Sequence, residues 1–264
     1  MNNYFSGNFL YGDDFNENQI SVWYEEELEY AKLYPNEGLS EEYPYHQLNI
    51  LNGFNYLPSN QTFDTVVSFG GGFCEELSPI KNKLKKIYVI EPSDNLTQLE
   101  NFGIPLNYIK PSIKGNIPLE SNSVDLITCF GVLHHIPNVS YVMAELYRIL
   151  KPGGYILIRE PIKSMGDWTK FRPGLTKNER GIPKKIFDKI IIESGFGIIK
   201  SSYCFTKPLD LFWVKIFKNH PYNDKRYIYL DRFLGKILSL NYRYHSKNTL
   251  NKIGPACNFY VLKK

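Results

Sequence analysis

The stretch "VVSFGGGFCEEL", Val66 to Leu77, decides how the chain is read. An apolar run gives way to three glycines and then to residues suited to starting a helix. That is the pattern of a strand-to-helix turn against which a nucleotide-type cofactor can lie. A Cβ in such a turn would collide with a close ligand, so Gly70 and Gly72, with Gly71 between them, are candidate cofactor contacts. On its own a glycine turn is a weak signal, because glycines also serve tight turns that bind nothing.

Working outward, short apolar runs alternate with helical patterns. Strands are expected over 65–69, 87–90, 106–109, 124–130 and 155–159, and helices over 74–80, 95–101 and 139–150. "IPKKIFDKIIIESGF" reads as a further helix, with Pro183 near its start and Gly195 beyond its end. Strands over 197–203 and 258–262 complete a mostly parallel sheet of the α/β class. Residues 61–264 are expected to form this domain, with a loop over its ligand edge at 161–182 and an aromatic-rich cap insertion at 204–256. Residues 1–60 read as an acidic, aromatic helical cap. In "SVWYEEELEYAKLY", Val22, Trp23, Leu28, Ala31 and Leu33 recur at roughly helical intervals; Pro35, Gly38 and Pro44 punctuate the path, and "YPYHQLNILNGF" suggests a second helix.

Composition removes several classes. A chain of 264 residues, 43% hydrophobic, can bury a sizeable core. A net charge of +4 from 31 basic and 27 acidic residues gives no nucleic-acid signature. Cys74, Cys129, Cys204 and Cys257 have neither zinc-ligand spacing nor the density of a disulfide framework, so no structural metal and a reduced, cytoplasmic setting are expected. No apolar run approaches the roughly 18 residues that a spanning helix needs, so membrane integration is not expected.

Three further signals follow the glycine turn. Glu91 ends the strand in "KIYVIEPS", where a carboxylate can accept hydrogen bonds from both hydroxyls of a ribose. "IPLESNSVDLITCFGVLHHIPN" ends a strand at Phe130 and Gly131 and then presents two histidines. "ELYRILKPGGYILIREP" ends a helix in Lys-Pro-Gly-Gly before the next strand. From about residue 63 to 160 the chain resembles the class I S-adenosylmethionine-dependent methyltransferases of the broad small-molecule (type 11) kind. "VLHHI" and "LKPGG" at this distance behind a glycine loop make a specific combination. A dinucleotide oxidoreductase is the nearest rival on fold grounds, but its fingerprint needs glycine where Glu75 stands.

The resemblance implies a Rossmann-like seven-stranded sheet with helices on both faces and S-adenosylmethionine (SAM) across the strand ends, S-adenosylhomocysteine being its product. Gly70, Gly71 and Gly72 would pass near the methionine moiety, and Glu91 would hold the ribose. Pro92 and Ser93 would line the adenine side, and Phe130 and Gly131 would lie beneath the sulfonium. Ser68 stands where the family has an acid that orients the loop and the methionine amine; Cys74 replaces the last loop glycine. The acid near the adenine amino group is missing from "IKPSIKGNIPL", which leaves Ser112 or Asn116. These departures keep open a degenerate SAM-binding protein.

Methyl transfer chiefly needs an aligned acceptor and, for an alcohol, a base. His134, His135 and Glu160 are the catalytic candidates. In "SMGDWTKFRPGLTKNERGIP", Asp167, Trp168, Arg172 and Arg180 offer an acid, an aromatic platform and a clamp for a phosphate or carboxylate. The expected activity is methylation of a small-molecule acceptor, foremost an oxygen of a sugar or related metabolite. The basic stretch "KRYIYLDRFLGKILSLNYRYHSK" could lie on a membrane surface or on RNA, which keeps an RNA or protein methyltransferase as an alternative, though a helix packed on the domain by its apolar face is the simpler expectation. The sequence assigns no oligomeric state.

Overall fold

The computed structural model describes residues 2–32, 43–246 and 248–264. Leu33, Pro35 and Gly38 lie outside the described residues, as does the side chain of Ala31. The N-terminal segment forms α1 (Asn2–Phe5), α2 (Glu17–Lys32) and α3 (His46–Asn52). The strands are β1 (Phe63–Phe69), β2 (Leu84–Ile90), β3 (Glu100–Asn101), β4 (Ile104–Ile109), β5 (Val124–Phe130), β6 (Leu150–Pro161), β7 (Gly197–Lys207) and β8 (Gly254–Lys263). Helix α4 (Val139–Ile149) leads into β6, and α5 (Lys184–Glu193) leads into β7. Helices α6 (Leu209–Phe217), α7 (Lys225–Leu238) and α8 (Thr249–Lys252) lie between β7 and β8.

The sheet order is β3-β4-β2-β1-β5-β6-β8-β7. Strands β4, β2, β1, β5 and β6 run parallel, while β8 is antiparallel to both β6 and β7. Two-residue β3 adds an antiparallel edge to the seven strands expected. It occupies part of 95–101, which is therefore not helical. The helix expected over 74–80 is a 3₁₀ helix, Glu75–Lys83, with Pro79 inside it.

Both faces of the central strands are covered, so their side chains are apolar almost without interruption. Val67, Ile127, Cys129, Ile156 and Ile158 meet α4 and α5; Val66, Leu126, Leu157 and Val261 meet α3, the 3₁₀ helix and α7. Helix α4 buries Val142, Met143, Leu146 and Ile149 at i, i+1, i+4 and i+7, each worth about 1.5–3 kcal/mol. On α2 the buried positions are Ile20 and Trp23, whereas Val22, expected on that face, is exposed. Chain order reverses between β1 and β5, which opens a crevice at their carboxyl ends.

Candidate cofactor and acceptor site

Two adjoining cavities occupy that crevice and share Phe69 and Gly70. The larger is a mainly apolar cleft that includes Gly70, Glu91, Pro92, Ser93, Ser112 and His135 in its lining. The smaller, more polar, is lined by Tyr43, Gly70, Gly71, Glu76, Thr128 and Phe130, besides Phe69. Ser68, Gly72, Gly131, His134, Glu160, Asp167, Trp168, Arg172 and Arg180 line neither.

The glycine turn is built by close approach. Gly70 has φ +66°, and a Cβ there would sit 2.5 Å from Val132 Cγ1; a Cβ on Gly71 would sit 1.8 Å from Ser68 Oγ. Cys74 also adopts the left-handed conformation, at φ 62°. A non-glycine residue in that region carries roughly 1–2 kcal/mol of backbone cost, offset in part here by complete burial of the side chain.

Ser68 does not act alone. Its hydroxyl donates to Glu76 Oε1 at 2.5 Å, and Thr128 Oγ1 donates to the same oxygen at 3.0 Å. The carboxylate absent from β1 is thus supplied eight residues later, by the 3₁₀ helix, at the wall of the polar cavity. Burial raises the Glu76 pKa, and the two hydroxyl donors work against that rise. Glu91 lies in the apolar cleft and accepts from the Ser93 N–H at 3.0 Å and from the backbone of Gly72. Burial raises its pKa too, with these backbone donors opposing. Ser112 closes a short turn with Asn116, whose N–H donates to Ser112 Oγ at 2.9 Å.

The two histidines have separate surroundings. His134 is buried, with Nδ1 2.8 Å from Glu160 Oε2 and Nε2 3.5 Å from Glu179 Oε1. Burial alone would lower its pKa, but hydrogen bonds to Glu160 and Glu179 outweigh that and raise it to about 9. His134, His135 and Glu179 each offer a metal-ligand atom within 4.8 Å of the others. His134 itself joins Glu160 and Glu179 in a buried network of polar contacts. Glu160 is fully buried and also accepts from the N–H groups of Val132 and Leu133, both at 2.8 Å. Its carboxylate holds the loop after β5 and does not face the cleft. His135 does face it. Its Nδ1 lies 3.0 Å from Glu27 Oε2, and Glu27 Oε1 accepts from Thr176 Oγ1 at 2.7 Å. With Nδ1–H donating to a carboxylate, Nε2 is left as the acceptor.

The four residues expected to meet the acceptor from 161–182 are engaged elsewhere. Arg180 is wholly buried, donates to the carbonyls of Tyr11, Leu133, His134, Ile136 and Pro137, and lies 5.1 Å over the Trp23 ring. Arg172 donates to the carbonyls of Met165, Thr176 and Lys177. Trp168 is buried against Phe5 and Tyr11, and Asp167 binds Thr169 and Lys170. With all five N–H donors on backbone carbonyls, Arg180 cannot also clamp a substrate anion.

A family model described as "Methyltransferase domain" matches residues 67–158. Those residues, about a third of the chain, are similar to methyltransferase domains. A ubiquinone biosynthesis O-methyltransferase of Shewanella pealeana is 32% identical over 124 residues, covering 43% of this chain and 51% of that protein. The chain spans about a third to a half of the length of such curated relatives. A SAM-dependent methyltransferase structure from Aquifex aeolicus aligns with TM-score 0.50 at 16% identity, over 94% of this chain and 98% of that one. The [4+2]-cyclase SpnF aligns with TM-score 0.54 at 11% identity, over 94% and 95%. These two likenesses concern the fold, and a cyclase among them means that the fold alone does not dictate methyl transfer.

The sequence reading missed Glu76, Thr128, Glu27 and Tyr24. Glu76 and Glu27 each belong to an acidic run that reads as solvated surface. Glu76 has one distinguishing signal, a serine at position 68 where the resembling methyltransferase loops carry an acid; Glu27 has none.

Proposed function

We propose that this protein methylates a hydroxyl group of a small, largely apolar acceptor, using SAM. The observation that carries the reading is the joint placement of Glu91 and the His135–Glu27 pair in one cleft beside the glycine turn. The cavities suit the cofactor: a turn with no room for a Cβ, a ribose-side carboxylate at Glu91 and a second carboxylate, Glu76, for an ammonium. Bound SAM supplies a methyl group activated by its sulfonium. Glu91, Pro92 and Ser93 would hold the adenosyl part, and Gly71, Glu76 and Thr128 the amino-acid part.

Elsewhere the wall of the cleft includes Ile20, Tyr24, Leu28, His135, Ile136 and Pro137. Apolar walls with one convergent base suit a hydroxylated apolar ring or chain better than a sugar. The sugar or phosphate expectation leaned on Arg172 and Arg180, and both are committed to backbone carbonyls. The O-methyltransferase naming of the Shewanella relative supports an oxygen acceptor. His135 Nε2 takes the acceptor proton, and Glu27 steadies the imidazolium that forms.

The test is turnover of SAM to S-adenosylhomocysteine with a panel of hydroxylated aromatic and apolar compounds, with the methylated product read by mass. His135→Asn should lower turnover about 10²–10⁴-fold and leave SAM binding unchanged. Tight SAM binding with no methylated product from any acceptor would instead favour the non-methylating reading.

A further inference from the structure

The helix expected to pack its apolar face on the domain buries Tyr227 and Ile228 there but leaves a second group of apolar residues outside. The buried stripe of α7 carries Tyr227, Ile228, Asp231 and Gly235, with Asp231 accepting from the N–H groups of Phe205 and Thr206. Its outer face carries Tyr229 (57% exposed), Phe233 (63%) and Ile237 (48%), with Leu240 just beyond the helix (88%). Neighbouring α6 is more extreme: Leu211 (67%), Phe212 (59%), Val214 (48%) and Ile216 (68%) all face outward. Trp213 packs against Tyr227 of α7, and Arg226 lies over the rings of Trp213 and Phe217, so the two helices meet there. Single exposed apolar residues are ordinary, but this many on two neighbouring helices mark an interaction surface.

We propose that α6 and α7 dock this protein on an anionic lipid surface, lying in the interface without crossing it. Residues 208–243 contain seven Lys and Arg against three Asp. Two of those acids, Asp210 and Asp231, are buried, and Asp224 pairs with Arg226. Lys215, Lys218, Lys225 and Lys236 are exposed beside the apolar residues, and no ion pair among the described residues engages them. Apolar side chains flanked by free ammonium groups match acyl chains beneath anionic headgroups. A second copy fits poorly, because a two-fold contact would bring the same lysines face to face. RNA would use the lysines and the rings but has no use for Leu211, Val214, Ile216 and Ile237. No described helix is long and apolar enough to cross a membrane.

The experiment is flotation of the full chain with phosphatidylcholine vesicles, with and without a quarter of phosphatidylglycerol, at low and at physiological salt. The protein should float with the anionic vesicles, less so as salt rises. Phe212→Ser with Phe233→Ser should cut the bound fraction at least about tenfold, as should Lys215→Glu with Lys236→Glu. All four positions are exposed, so melting temperature and SAM binding should stay unchanged. Absence of flotation at low salt by folded protein overturns the proposal. So does a dimer dissociated by the phenylalanine double variant, or binding to RNA in place of vesicles.

Discussion

Glu76 answers the question that Ser68 raises. A serine at the end of β1 has no charge for an ammonium, but its hydroxyl, with Thr128, fixes a buried carboxylate at the wall of the polar cavity. Burial raises the pKa of that carboxylate, so ionised Glu76 costs the ligand-free protein stability at neutral pH. Glu76→Gln keeps an oxygen for both hydroxyls and removes the charge. We expect the ligand-free variant to melt at a higher temperature, while SAM affinity falls about tenfold to hundredfold, the worth of a charge-assisted hydrogen bond. Scanning calorimetry and ligand titration read the two effects separately. Unchanged affinity would remove Glu76 from the cofactor site. The sequence hid this residue because "CEEL" reads as the solvated start of an α-helix, whereas the segment winds as a 3₁₀ helix and turns the second glutamate inward.

At the scale of elements, the loop from β5 to α4 depends on a buried imidazolium between two carboxylates. Burial opposes the charge on His134, and Glu160 and Glu179 more than restore it, to a pKa of about 9 against an ordinary 6.5. A raised folded-state pKa stabilises fully below the unfolded value and is lost as pH rises through the folded one. Melting temperature should therefore fall between pH 6.5 and about 9, and His134→Gln should flatten that slope. His134→Ala, which leaves buried charges unpaired, should cost about 3–5 kcal/mol in chemical denaturation. An equally steep slope in His134→Gln would place the titration elsewhere. The strands and the β5–α4 connection were legible because period and turn chemistry are local. The roles of His134 and Glu160 were not, because Glu179, which completes the pair, arrives from a loop with no periodicity of its own.

For the whole molecule, the loop between β6 and α5 works as a fastener. Arg180 joins three distant segments: the carbonyl of Tyr11 in the N-terminal cap, four carbonyls after β5, and its own loop. Burial lowers its pKa to about 10, which still leaves it charged at neutral pH. Thr176 and Asn178 reach Glu27 and Glu26 of α2 from the same loop, so the segment that supplies Glu27 to the cleft is held by the loop first read as the acceptor's. A polar, glycine-bearing loop looks solvated because backbone carbonyls, the targets of Arg172 and Arg180, leave no mark in a sequence. Arg180→Ala orphans five carbonyls at once and should cost about 3–5 kcal/mol. The loss should be directional. Limited proteolysis should cut first within the N-terminal sixty residues, and the acceptor KM should rise as Glu27 and His135 separate. SAM affinity, which the proposal assigns to Glu76 and Glu91 beside the carboxyl ends of β1 and β2, should change much less. If SAM and acceptor binding weaken together, the cap and the sheet unfold as one unit, and the fastening role assigned to Arg180 fails.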